Sequence, residues 1–173
     1  MRMCKYADET SVIKNIRTSA YTHICTSMKI LMVCLGNICR SPLAEGIMQH
    51  LADKEGLNWQ VDSAGTGNWH LGEGPDRRSV RTAHAHGIDI SQQICRLFNP
   101  SDFDEFDYIL VMDKSNLSNV LAMARNADDR QKVSMLLGDQ IVPDPYYDDK
   151  LFEPVFQLIE EGCKAFIEEH REK

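Results

Sequence analysis

The feature that most narrows the fold of this chain is a change of hydrophobic period across one short polar stretch. Lys29-Ile-Leu-Met-Val-Cys34 is a continuous apolar run bounded by turn residues, the pattern of a buried parallel strand. From Pro42 onward Leu43, Ile47, Met48 and Leu51 recur at helical spacing. A loop between a strand end and a helix start aims several unpaired backbone N–H groups at one point, and the helix dipole adds partial positive charge there. Such a loop is an anion site. The same alternation continues along the chain. Trp59–Ser63, Tyr108–Met112 and Val133–Leu137 read as strands, while Pro42–Glu55, Arg77–His86, Ser115–Ala124 and Phe152–Glu169 read as helices. Repeated βαβ units predict an α/β three-layer sandwich: a four-stranded parallel sheet with helices on both faces, right-handed crossovers and ligand chemistry at the carboxyl ends of the strands.

The loop residues Leu35, Gly36, Asn37, Ile38 and Cys39 are expected to wrap the anion. Arg40 closes the loop, and its guanidinium can bind two oxygens of a dianion with a parallel pair of hydrogen bonds, which lysine cannot do. Cys34 then faces the bound phosphorus, in a field that favours thiolate over thiol, and reads as a nucleophile. Ser41 is a good N-cap with Pro42 at the first helical position; its hydroxyl is also within reach of a role at the Cys34 sulfur. Cys39 has two readings, a small buried apolar residue or the partner of Cys34 in a reversible disulfide formed by peroxide.

At 173 residues and 43% hydrophobic content the chain is sized for one domain. Neither a membrane span nor a secretion signal is supported, so a cytoplasmic protein is expected. A formal charge of −7 argues against nucleic acid as a partner. Residues 1–27 hold four Lys/Arg and two Asp/Glu, net +2, which leaves 15 basic against 24 acidic residues, net −9, for the remainder. That segment lacks periodicity and reads as an N-terminal extension, either a disordered arm or a start-site artefact ahead of Met28, with the domain running from 28 to 173. Six scattered cysteines without paired spacings read as free thiols, and no metal or cofactor is expected.

Breaking a phosphate ester requires a proton for the leaving oxygen. Asp144, fixed between Pro143 and Pro145, is the candidate, although an Asp-Pro pair also makes an ordinary turn. Asp148 and Asp149 lie nearby without such restraint. Trp69, in a loop rich in Gly, Asn and His, and Tyr146 with Tyr147 are either exposed loop aromatics or the two walls of a slot for a flat phenyl phosphate. Asn37 is a residue that tolerates left-handed backbone. His86 suits a helix C-terminus and Asp113 a helix N-cap.

Cys34-Leu-Gly-Asn-Ile-Cys-Arg-Ser-Pro-Leu-Ala-Glu45 resembles the phosphate loop of the low-molecular-weight protein tyrosine phosphatases. Asp62-Ser-Ala-Gly-Thr66, Trp69-His70, Asp76, His86-Gly-Ile88, Val111-Met-Asp113 and Asp144-Pro-Tyr-Tyr147 follow in that family's order. The resemblance implies a phosphocysteine mechanism with Asp144 as acid and then base, and Trp69 and Tyr146 as the main slot contacts. It implies further that Ser63 and His86 hold Asn37, and that Asp113 orients Arg40. Its partners would be phosphotyrosine proteins, an autophosphorylating tyrosine kinase among them, and the protein would be a monomer or weak homodimer. An arsenate reductase of the same fold would need further closely spaced thiols, which the Val111–Asn116 region lacks; Cys95 stands alone. A protein-arginine phosphatase tends to carry threonine where Ile38 stands. A non-catalytic phosphate-binding module would be expected to have lost Cys34, Arg40 or Asp144. The larger tyrosine phosphatases place the acid before the cysteine, whereas here it follows.

Overall fold

A computed structural model describes residues 27–171. The expected N-terminal extension, Ser27 excepted, lies outside the described residues. In chain order the elements are β1 (Met28–Cys34), α1 (Arg40–Lys54), β2 (Trp59–Gly65), α2 (Arg77–Ala85), α3 (Asp102–Glu105), β3 (Tyr108–Val111), α4 (Lys114–Ala122), α5 (Ala127–Gln131), β4 (Val133–Met135) and α6 (Phe152–His170), with a 3-10 turn at Asp149–Leu151.

The strands form one all-parallel sheet in the order β2-β1-β3-β4. Side chains alternate across it, and the two faces are buried differently. Ile30, Met32, Leu110 and Met112 point to a core filled by Leu43, Ile47 and Met48 of α1 and Val155, Phe156, Ile159 and Ile167 of α6. Leu31, Val33, Ile109 and Val111 point the other way, against Phe98, Phe103, Phe106 and Val120. That explains why β1 and β3 are continuous apolar runs: helices or packed loops cover both sides. The expected three-layer α/β architecture is what the chain adopts.

Two short helices, α3 and α5, fall outside the expected set. Asp102-Phe-Asp-Glu105 carries a single apolar residue, and Ala127–Gln131 carries none beyond Ala127, so neither shows a helical period. α5 forms because Asn126 caps it, its side chain accepting from Asp129 N. β4 is two residues shorter than expected, since Leu136 and Leu137 turn away to pack against Gly162 of α6.

The chain leaves β1 toward β2 on one side and returns to β3 on the other. The switch point of the sheet therefore lies at the carboxyl ends of β1 and β3, where Cys34 ends one strand and Asp113 follows the other.

Candidate active site

Beyond Cys34 the backbone turns tightly through residues 35–39 before α1 begins at Arg40. Asn37 sits at φ 53°, the left-handed conformation, and is alone among the described non-glycine residues in doing so. Its side chain secures that geometry. Asn37 Nδ2 donates to Ser41 Oγ and to Ser63 Oγ, each at 2.9 Å, and Oδ1 accepts from Arg96 N at 2.9 Å. β2 walls the loop on its outer side: Thr66 N donates to Cys34 O and Gly67 N to Leu35 O. Gly65 permits this approach, because a Cβ there would lie 3.0 Å from Leu35 O and 3.1 Å from Asn37 Cβ. With the loop carbonyls turned outward, the N–H groups of Gly36, Ile38, Cys39 and Arg40 find no acceptor among the described residues. They are the donors an anion would use.

The Cys34 sulfur accepts from Asn37 N at 3.3 Å and lies 3.1 Å from Ser41 Oγ. Ser41 is therefore not the helix cap expected from sequence. α1 starts two residues earlier with Cys39 at the cap position, and the fully buried Ser41 hydroxyl turns inward to the sulfur, the other role expected for it. Arg40 is only 3% exposed. Its Nη1 donates to Asp113 Oδ2 at 2.7 Å and to Val142 O at 3.2 Å, while Nη2 donates to Asp144 Oδ2 at 2.8 Å. Burial works against the guanidinium charge, but Cys34, Asp144 and Asp113 outweigh it and hold the group above its ordinary arginine value. Asp113 serves two ends at once, since its other oxygen accepts from Asn116 N and caps α4.

Asp144 is held at the cleft edge by Arg40 and by Tyr146 N, which donates to Oδ1 at 3.1 Å. The cleft holds about 330 Å³ and is lined by Cys34, Leu35, Gly36, Ile38, Cys39, Arg40, Trp69, His70, Asp144, Tyr146 and Tyr147. Trp69 is 68% exposed and Tyr147 92%, so the aromatic rim is open to solvent, and the Trp69 ring lies across Gly67, where any side chain would collide. Cys39 is a buried thiol whose pKa burial pushes up to about 12, with Asp76 and Cys34 adding to the rise. Among the described residues Cys34, Cys39, Cys95 and Cys163 are free thiols, and no cluster of three or more His, Cys, Asp or Glu is placed to hold a metal ion.

One expected support lies elsewhere. His86 stacks on Phe156 with ring centres 3.9 Å apart and bonds Glu153, on the far side of α2 from the loop. Three contributors escaped sequence reasoning. Arg96 supplies the backbone N–H to Asn37, His70 lines the cleft, and Glu45 Oε2 accepts from Ser63 Oγ at 2.6 Å. His70 and Glu45 stand in the quoted motifs, but nothing in their spacing marks them.

Burial pushes the Glu45 carboxyl up to about 7, against the lowering effect of the Ser63 bond, and neighbouring Asp62 adds to the rise. An acid raised in the folded state binds a proton that the unfolded chain has released, so its contribution to stability falls as pH climbs from about 4.5 to about 7. Glu45→Gln is expected to remove that dependence. The stability difference between variant and parent should shift by roughly 3 kcal/mol in the variant's favour between pH 4.5 and pH 7.5, measured by urea unfolding. A constant difference across that range would mean that Glu45 titrates normally.

A family model for low molecular weight phosphotyrosine protein phosphatase matches residues 29–173. The chain belongs to that family. It is a hydrolase of the protein tyrosine phosphatase kind. It is 41% identical over 151 residues to the low molecular weight phosphotyrosine protein phosphatase of Rattus norvegicus, covering 82% of this chain and 95% of the relative. Among solved structures, a protein tyrosine phosphatase from Entamoeba histolytica superposes with a TM-score of 0.80 at 36% identity, covering 84% of this chain and 98% of the other. A Drosophila arginine phosphatase superposes with a TM-score of 0.79 at 35% identity, covering 83% and 98%. Among the described residues no helix is long and apolar enough to cross a membrane.

Proposed function

We propose that this phosphatase hydrolyses phosphotyrosine in proteins through a phosphocysteine. The observation that carries the reading is the placement of Arg40, whose buried guanidinium bonds Asp144 directly beside a loop of unpaired N–H groups around Cys34. The phosphoryl dianion enters the loop, where its equatorial oxygens accept from the free amides and from Arg40. Arg40 Nη2 exchanges Asp144 for a phosphoryl oxygen, and the freed Asp144 carboxyl turns to the leaving oxygen.

Cys34 thiolate attacks phosphorus. An S–P bond forms, the bond from phosphorus to the tyrosine oxygen breaks, and the proton of Asp144 goes to the departing phenolate. Asp144, now a carboxylate, takes a proton from water as the water oxygen attacks phosphorus. The S–P bond breaks, inorganic phosphate leaves and the Cys34 thiolate is restored. Ser41, 3.1 Å from the sulfur, and Asn37 N stabilise it as leaving group. Trp69 and Tyr146 both line the cleft and offer aromatic surface to a phenyl ring, and on this reading phosphoserine is too short to bring its phosphorus to Cys34 from that rim. Partners on this reading are proteins bearing phosphotyrosine, and an autophosphorylating tyrosine kinase is one class that presents it.

The test is phosphate release from peptides of one sequence carrying phosphotyrosine, phosphoserine or phosphoarginine. We expect kcat/KM for phosphotyrosine to exceed each of the others by roughly 100-fold. A preference for phosphoarginine would instead align the chain with its Drosophila neighbour and mean that the aromatic walls do not select the substrate.

A further inference from the structure

Asp144 and Tyr146 belong to an irregular, largely exposed segment between β4 and the 3-10 turn. A catalytic acid on such a segment needs an anchor, since a displacement of about 1 Å can cost much of its effect. Arg40 still reaches Val142 O through Nη1, but it cannot hold Asp144 itself once Nη2 binds the phosphoryl group. The only other cation bonded to this segment, among the described residues, is Arg78 at the start of α2.

Arg78 makes four hydrogen bonds to three partners, Asp76, the Tyr146 carbonyl and Asp149. Nε donates to Asp76 Oδ1 at 3.0 Å and Nη2 to Asp76 Oδ2 at 2.8 Å, a two-pronged pair. Nη1 donates to the Tyr146 carbonyl at 3.0 Å and to Asp149 Oδ1 at 2.6 Å. The guanidinium also lies over two aromatic rings, its carbon 4.6 Å from the Phe152 ring centre and 5.5 Å from that of Tyr146. Asp76 is tied in turn to the phosphate loop, because its backbone N donates to Ile38 O at 2.8 Å. The Arg78 bonds hold the Asp76 carboxyl below the usual carboxylate range despite partial burial. A continuous path of bonds therefore runs from Ile38 through Asp76 and Arg78 to the Tyr146 carbonyl. On its other side the Tyr146 residue donates its own N–H to Asp144.

We infer that Arg78 is a positioning residue that fixes the segment carrying Asp144 and Tyr146 over the phosphate loop. Nothing in Arg78 reaches the reacting atoms; it acts through the Tyr146 peptide and Asp149. Lysine cannot replace it, since an ammonium lacks the planar fork needed to hold Asp76 with two prongs while reaching Tyr146 O and Asp149. The inference rests on the proposed role of Asp144 as general acid.

It is tested with a series of aryl phosphates whose phenols range from weakly to strongly acidic. The parent enzyme, Arg78→Met, Arg78→Lys and Asp144→Ala are compared by kcat/KM, which reports the step that releases the phenol. Methionine keeps an apolar stem against Phe152 and removes every donor. The expected result for Arg78→Met is a loss of roughly tenfold on the ester of a weakly acidic phenol and little loss on the most acidic one. Arg78→Lys should fall between parent and Arg78→Met. The ratio between two substrates within one preparation does not depend on how much of it is folded. If Asp144→Ala shows the steep dependence on phenol acidity and Arg78→Met loses equally on all esters, or on none, the inference is overturned and the acid assignment stands. If Asp144→Ala shows no such dependence, the acid assignment itself fails and the inference goes with it.

Discussion

Cys34→Ser is expected to lose turnover by roughly 10⁵-fold while still binding inorganic phosphate. Removal of a covalent nucleophile abolishes the route through the intermediate, leaving only what bound-state positioning provides. The binding elements are separate from the sulfur: the N–H groups of Gly36, Ile38, Cys39 and Arg40 belong to the backbone, and Arg40 takes its position from Asp113 and Val142. Phosphate affinity, measured by calorimetry, should therefore be kept or improved, because the substitution replaces the bulkier sulfur beside a dianion with a smaller hydroxyl. In parallel, acid quenching of the parent enzyme during turnover should trap phosphate on the protein, and the serine variant should trap none. Turnover within about 100-fold of the parent would exclude the covalent route.

Asp144→Ala should separate substrates by the acidity of their leaving groups. A phenol as weakly acidic as tyrosine departs poorly as phenolate, so losing the proton donor should cost about 10² to 10³-fold in kcat/KM on a phosphotyrosine peptide. An ester of a strongly acidic phenol needs no proton, and its loss should stay within roughly threefold. The same variant leaves Arg40 Nη2 without the partner it holds at 2.8 Å, which removes a competitor for the phosphoryl oxygens. Phosphate should then bind more tightly than to the parent. Equal losses across the ester series would show that some other group protonates the phenol, with Asp148 and Asp149, just downstream, the next acids along the segment.

The long elements of this fold are legible in the chain because each buries a wide apolar surface and leaves a period behind. β1 is a bare hydrophobic run because both of its faces are covered, and α1 and α6 show their stripes because one face meets the sheet. The short helices α3 and α5 leave no period; capping and a single Phe103 contact decide them. At the site, residues whose chemistry is carried by their own type were legible. A cysteine and an arginine framing a glycine-containing loop, and an aspartate clamped between prolines, announce themselves.

Residues whose role arises only from distant contacts were not. Glu45 looks like any acid on a helix until Ser63 arrives from β2 to bond it, and Arg78 looks like a surface cation until the segment after β4 folds over it. Ser41 was legible in one of its two expected roles: its hydroxyl meets the Cys34 sulfur, but the helix starts before it and it caps nothing. His86 was placed by resemblance in the network around Asn37, but the turn of α2 directs its ring to Phe156 and Glu153, and the backbone of Arg96 meets Asn37 instead.

The proposed nucleophile ends the first strand, and the proposed acid arrives from beyond the fourth, 110 positions later along the chain (144 minus 34). During synthesis the loop around Cys34 emerges long before Asp113, Val142 and Asp144, the three groups that neutralise and orient Arg40. A nascent chain halted before residue 142 would have all four strands but would hold Arg40 through Asp113 alone, with neither the Val142 carbonyl nor the Asp144 carboxyl to complete the site. Until Val142 and Asp144 join it, the Arg40 side chain lacks two of its three partners, so a chain truncated before them is expected to release no phosphate.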